Sequence, residues 1–181
     1  MKKKAAVLSA AVILALTGCG SNAAHDTPSK PSMNQMHMNH SGSAEVPAGL
    51  KKAVNPAYKP GSRVLVKADH MEGMKGSEAT VSGAFDTTVY SVTYTPTTGG
   101  DPVKNHKWVI HEEIKGAGKE PFKSGDKVTL MADHMEGMKG AEAEIDTAQK
   151  TTVYMIDYTP TTGGKKVKNH KWVIERELSA K

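Results

Sequence analysis

The sequence holds one Cys, two Phe and two Trp in 181 residues, and each scarcity removes a class of protein. A single Cys cannot make an intramolecular disulfide, a thiolate zinc cluster or an iron–sulfur centre within this chain. With hydrophobic residues at 38% and aromatics at 5%, the material suffices for one or two small folded units and not for a large enzyme core. Long apolar runs are missing apart from AAVLSAAVILAL near the N-terminus. Neither a nucleophile beside a base, nor a paired carboxylate set, nor a phosphate loop is visible, so the chain is not expected to be an enzyme. Turn-forming residues are plentiful instead, with 17 Gly and 9 Pro.

The apolar run follows Lys2, Lys3 and Lys4 and is too short to span a bilayer permanently, which is the layout of a secretory signal over residues 1–18. It ends in Leu16-Thr17-Gly18-Cys19. That tetrapeptide resembles the lipobox of bacterial lipoproteins, which implies a diacylglycerol on Cys19, added palmitate-type acylation and a chain anchored on the extracellular face of the cell membrane. Two acyl chains give stable anchoring where one is marginal. Removing residues 1–18 takes three lysines with it, leaving 21 Lys and Arg against 19 acidic residues, so the net charge falls from +5 to about +2. A nucleic-acid partner loses its electrostatic basis, and no basic stripe studded with aromatics replaces it.

Residues 19–58 show no hydrophobic period and read as a disordered tether, since such a composition cannot bury enough surface to offset its ordering entropy. Five soft or borderline metal ligands lie close together within it: Met33, Met36, His37, Met38 and His40. They form an auxiliary metal-catching segment, or else a polar linker with incidental Met and His.

Beyond the tether the chain repeats itself. Residues 61–114 align without a gap on 125–178, with 34 of 54 positions identical. The expected organisation is a first repeat domain over 59–115, a linker over 116–123 and a second repeat domain over 124–181, each repeat folding by itself. Within each copy the apolar period is two, as in Val64 and Val66, Ala79 and Val81, or Tyr90, Val92 and Tyr94. These read as half-buried strands. Thr-Pro-Thr-Thr-Gly-Gly at 95–100 and 159–164 supplies turns into a fourth strand. The opening Gly-x-x-Val-x-Val and the closing Trp-Val-Ile with acidic residues after it resemble SH3-like or KOW-like barrels. The expected fold class is all-β, with two tandem small antiparallel barrels.

The chemistry lies where the first strand of each copy stops, in the loop HMEGMKG at 70–76 and again at 134–140. A loop has little packing reason for two methionines. Thioether sulfur favours Cu(I), and Ag(I) by the same softness, while imidazole suits copper, zinc and iron. His70, Met71, Met74, His134, Met135 and Met138 are therefore the candidate ligands, presented to solvent. The competing reading makes the methionines adaptable core filler. Asn-His-Lys-Trp at 105–108 and 169–172 adds His106 and His170, which suit either a ligand or a hydrogen-bonded packing role. Asp69 and Glu72 are harder oxygen donors, expected to orient a histidine or face solvent. His25 and His111 lack a counterpart and are weak candidates.

The lipobox, the Met/His tether and two copies of HMEGMKG, TTVYxxxYTPTTGG and VKNHKWV together resemble the YdhK/CopL-type lipoproteins of Gram-positive bacteria. That resemblance covers nearly the whole chain. It implies extracellular copper binding and copper resistance or homeostasis, with the metal ion and the membrane lipid as partners and no protein partner specified. The alternative is a cell-wall or protein-binding SH3-like adaptor, with Tyr90/Tyr94 and Tyr154/Tyr158 flooring a groove.

Overall fold

The computed structural model describes residues 42–181. The expected signal peptide, Cys19, and Met33, Met36, His37, Met38 and His40 lie outside the described residues. The described residues all belong to one compact unit. Its strands are β1 (Lys51–Lys52), β2 (Arg63–Val66), β3 (Glu78–Tyr94), β4 (Val103–Ile110), β5 (Lys127–Thr129), β6 (Glu142–Tyr158), β7 (Val167–Ile174) and β8 (Leu178–Ala180). Short 3-10 turns at His111–Glu113 and Glu175–Glu177 follow β4 and β7. The all-β expectation and the tandem repeat both hold. All strands join one antiparallel eight-stranded sheet of order β5-β6-β3-β2-β8, with β1 and β4 also on β3 and β7 on β6. That sheet, shared by both repeats, is not closed into the separate small barrel expected of each.

The reason lies in β3 and β6. The sequence suggests two short strands over 79–94, yet the stretch contains no proline and runs as one strand of 17 residues, as does its counterpart. The two pair along almost their full length. Ala79 faces Tyr158, Tyr94 faces Ala143, and Thr87 stands opposite its own equivalent Thr151. This register is a pseudo-twofold. It sends the second half of each repeat to the opposite end of the sheet, against the first half of the other.

Both main cores are consequently hybrids. One joins Val64, Val66, Met74, Ala79 and Val81 of the first repeat to Tyr154, Ile156, Tyr158, Val173 and Leu178 of the second. The other joins Tyr90, Val92, Tyr94 and Val109 to Val128, Leu130, Met138, Ala143 and Ile145. A third cluster between them contains Phe85, Val89, Trp108 and Ile110 together with Val153, Met155, Trp172 and Ile174. The expectation that each repeat folds by itself is thus corrected, because neither repeat contains both halves of a core. Edge pairing follows the same rule, since β2 pairs with β8 and Ile114 bridges Leu130.

The tether also ends earlier than expected. From Gly42 the chain is laid on the fold, with β1 pairing Lys51 to Asp86, and Val46, Leu50, Ala53 and Tyr58 packed on the cores. Their spacing of four, three and five residues is not that of a strand, and Pro47, Gly49 and Pro56 among them argue against a helix.

Candidate functional site

Each HMEGMKG loop leaves its first strand, turns back through Met74 N–H to Met71 O (3.1 Å) and Ser77 N–H to Met74 O (3.1 Å), and enters the long strand. Gly73 sits at φ +71°, and a β-carbon there would stand 2.6 Å from Thr162 Oγ1 and 2.9 Å from Pro160 Cβ. Only glycine has both the conformation and the clearance. Its carbonyl accepts the Thr161 N–H at 2.8 Å, and Gly137 does the same for Thr97 at 2.9 Å. Each loop is therefore docked on the Thr-Pro-Thr-Thr-Gly-Gly turn of the other repeat.

Docking divides the methionines. Met74 and Met138 are 0% exposed, inside the two hybrid cores. The expectation that they are presented to solvent as ligands is corrected. Burying such a side chain contributes about 1.5–3 kcal/mol, and the flexible thioether fits the irregular space under the turn. Met71 and Met135 are half-buried and line a cleft of about 1430 Å³ together with His70, His106, His134 and His170. Two of the four loop methionines thus border the histidines' cleft, while also packing against the hybrid cores. Tyr90, Tyr94, Tyr154 and Tyr158 are all core residues, at most 2% exposed, and floor no groove.

The histidines are held by carboxylates that the motif reading missed. His70 Nε2 lies 2.9 Å from Glu177 Oε1, and His134 Nε2 lies 2.8 Å from Glu113 Oε1. A carboxylate only accepts, so Nε2 carries the proton, and in the neutral ring Nδ1 keeps the lone pair. Trp108 Nε1–H donates to Glu177 at 2.9 Å, and Trp172 Nε1–H donates to both oxygens of Glu113 at 3.1 and 3.2 Å. The backbone N–H of Ile110 reaches Glu113 at 3.2 Å and that of Ile174 reaches Glu177 at 3.0 Å. Each glutamate comes from the opposite repeat to its histidine. Asp69, Glu72, Asp133 and Glu136 are exposed. A signal for the glutamates was present: His111-Glu-Glu-Ile and Glu175-Arg-Glu-Leu differ between the copies everywhere except at Glu113 and Glu177.

Buried in the same region, His70 Nδ1, His134 Nδ1 and His106 Nε2 make no hydrogen bond within the protein. His106 stacks edge-on to Tyr94 with ring centres 5.8 Å apart and stands 6.3 Å from the His134 ring. Burial first, then the charges of His134 and His70, push its pKa down to about 4 against the opposing pull of Glu113. The ring is neutral near pH 7. Burial acts to raise the Glu177 carboxyl, but the hydrogen bond and charge of His70, with the N–H groups of Trp108 and Ile174, outweigh it and hold the group below its usual range. Among the described residues, no three His, Cys, Asp or Glu side chains stand together at metal-holding distance. His111 is satisfied at both ring nitrogens, by the Tyr90 hydroxyl at 2.8 Å and Gly118 O at 2.9 Å. His25 lies outside the described residues.

Fold and cleft define a class: an all-β protein whose two tandem repeats interlock around a histidine-lined cleft. Within that class the chain belongs to the DUF1541 family, described as a protein of unknown function, whose pattern matches residues 60–111 and 124–175. It is 58% identical over 180 residues to the uncharacterized protein YdhK of Bacillus subtilis (strain 168), covering 97% of this chain and 87% of that one. A crystal structure of YdhK, a DUF1541 family protein of the same strain, superposes with a TM-score of 0.77 at 66% identity, covering 80% of this chain and 99% of that one. A solution NMR structure of the YdhK C-terminal domain gives 0.65 at 67% identity, covering 68% and 93%. The likeness to YdhK read from the motifs therefore holds.

Proposed function

We propose that the mature protein is a lipid-anchored, extracellular copper-binding protein that sequesters the ion, with Cu(I) favoured, and so contributes to copper resistance or homeostasis. One observation carries this reading. His70 and His134, which line a cleft together with Met71 and Met135, each give Nε2–H to a carboxylate and keep a buried Nδ1 that makes no hydrogen bond within the protein. Metal-ligating histidines are oriented in this way, with the second ring nitrogen tied to a carboxylate that fixes the tautomer and raises ligand basicity. Neutral imidazole and thioether together suit a soft monovalent ion, whereas structural zinc takes four harder or thiolate donors. The reading is of a site that binds without turnover.

The test is competition between the mature chain and a Cu(I) chelator under reducing conditions, with the metal content of the protein measured. Retention of at least one copper by wild type, reduced in Met71→Leu/Met135→Leu and in His70→Asn/His134→Asn, is the expected result. Equal retention by wild type and both double variants would remove the cleft from the function.

A further inference from the structure

The duplicated motifs predict at least one metal site per repeat. The fold makes the two halves of the cleft unequal. Residues 42–45 run as a strap hydrogen-bonded to β7: Gly42 N–H bonds Lys168 O at 2.9 Å, Asn169 Nδ2 donates to Gly42 O at 3.3 Å, and the Lys171 ammonium donates to Glu45 O. These bonds flank His170, which is buried, while its counterpart His106 is half-buried and its neighbours Lys104 and Asn105 are exposed. A β-carbon on Gly42 would meet Asn169 O at 2.7 Å, so the strap lies as close to β7 as a chain can. One half of the cleft is covered and the other is open.

On the open side two imidazoles from different repeats face each other. His106 comes from β4 and His134 from the second HMEGMKG loop, with ring centres 6.3 Å apart. Two imidazoles sharing one ion at about 2 Å per nitrogen, on opposite sides of it, have ring centres roughly 6 Å apart. The nitrogens not already used are His106 Nε2 and His134 Nδ1, both buried and without a hydrogen bond in the protein. The thioether of Met135 lines the same cleft. We infer that the cleft has one primary seat for a soft monovalent cation, between His106 Nε2 of the first repeat and His134 Nδ1 of the second, with Met135 as the third donor. Resting as it does on the copper reading above, the inference adds that this seat spans the repeats and fills before anything on the strapped side. A pair of nitrogens with one sulfur satisfies Cu(I) or Ag(I), and leaves zinc short of its four ligands.

The experiment titrates silver nitrate into the full mature chain labelled with nitrogen-15 and follows the imidazole nitrogens by NMR. The first equivalent is expected to move His106 Nε2 and His134 Nδ1 together, leaving both nitrogens of His111 in place. His106→Asn and His134→Asn should each weaken that first equivalent at least tenfold, and the spectrum of the unmutated chain decides the matter where a variant folds poorly. Shifts appearing first at His70 and His170, equal filling of both sides, or silver held only by Met33–His40 would each overturn the inference while leaving a metal-binding protein. Silver and Cu(I) that bind nowhere on the chain would overturn the copper reading itself.

Discussion

Glu113 of the first repeat joins two residues of the second, accepting His134 Nε2–H at 2.8 Å and Trp172 Nε1–H at 3.1 Å. Glu177 does the same in reverse for His70 and Trp108, both at 2.9 Å. The tie that orients each candidate ligand is therefore also a tie between repeats. Because Glu113 is only 6% exposed, removing its hydrogen-bond capacity leaves buried donors unpaired, which costs about 1–3 kcal/mol per group.

Glu113→Gln keeps the shape and one acceptor oxygen but loses the charge that fixes the His134 tautomer. It is expected to weaken Cu(I) retention about tenfold, within the 10–100-fold range typical of such orienting partners. Glu113→Ala should in addition destabilise the fold by roughly 2–4 kcal/mol. Chelator competition reads the first effect and urea denaturation the second. The Trp172 indole N–H resonance separates them, since a positioning role requires it to move in both variants.

The four loop methionines should sort by burial. Met74→Leu and Met138→Leu conserve volume in a close-packed core, so stability should change by less than about 1.5 kcal/mol and copper capacity not at all. Met74→Ala should cost about 2–5 kcal/mol by opening a cavity. Met71→Leu and Met135→Leu should do the opposite, sparing stability and lowering copper affinity. A drop in copper capacity on Met74→Leu would show that the core sulfur takes part.

Strands, turns and the repeat were legible because each rests on a local signal: period two at Val64 and Val66, turn chemistry at 95–100, identity at a constant offset. The exchange of halves was not, because Thr87 opposite Thr151 is a long-range register that no local pattern encodes. Met74 looked exposed for a related reason. Sequence places it in a loop, and only the docking of Gly73 on Thr161 turns that loop inward. Bulges where β3 meets β4 near Val92, with Asn105 at φ +51°, are likewise marked by no local pattern.

Acid should destabilise the metal-free protein before its carboxylates titrate. His106 has a pKa of about 4 in the fold against an ordinary value of 6.5. Between those values the unfolded chain binds a proton that the folded one refuses, so stability is full above about pH 6.5 and falls as pH drops toward 4. The groups facing the ring are His134 and His70, which oppose its charge, and Glu113, which favours it. Glu177, held below its usual range, gives up its own contribution only at lower pH still. The unfolding free energy from urea denaturation at pH 7, 5.5 and 4.5 should fall by an amount on the order of 2–3 kcal/mol in total. His106→Asn should flatten that slope, and an unchanged slope would mean that other groups set it.

A single repeat should not be a folded monomer. Residues 59–115 alone keep Val64, Val66, Met74 and Val81 but lack Tyr154, Ile156 and Val173, which complete that core in the whole chain. They also present Tyr90, Val92 and Tyr94 with nothing from the second repeat to cover them. Two copies of one repeat, however, can restore both cores. The pairing of Thr87 with its equivalent Thr151 becomes Thr87 with Thr87 across a true twofold, and every other register of β3 with β6 follows. The expected product is an exchanged dimer whose folding depends on concentration, unfolded when dilute. Sedimentation and near-ultraviolet circular dichroism over a range of concentrations measure this directly. A compact monomer with native tryptophan dichroism at the lowest concentration would mean that each repeat has a self-sufficient core, which the hybrid packing of Met74 against the second repeat's strands does not allow.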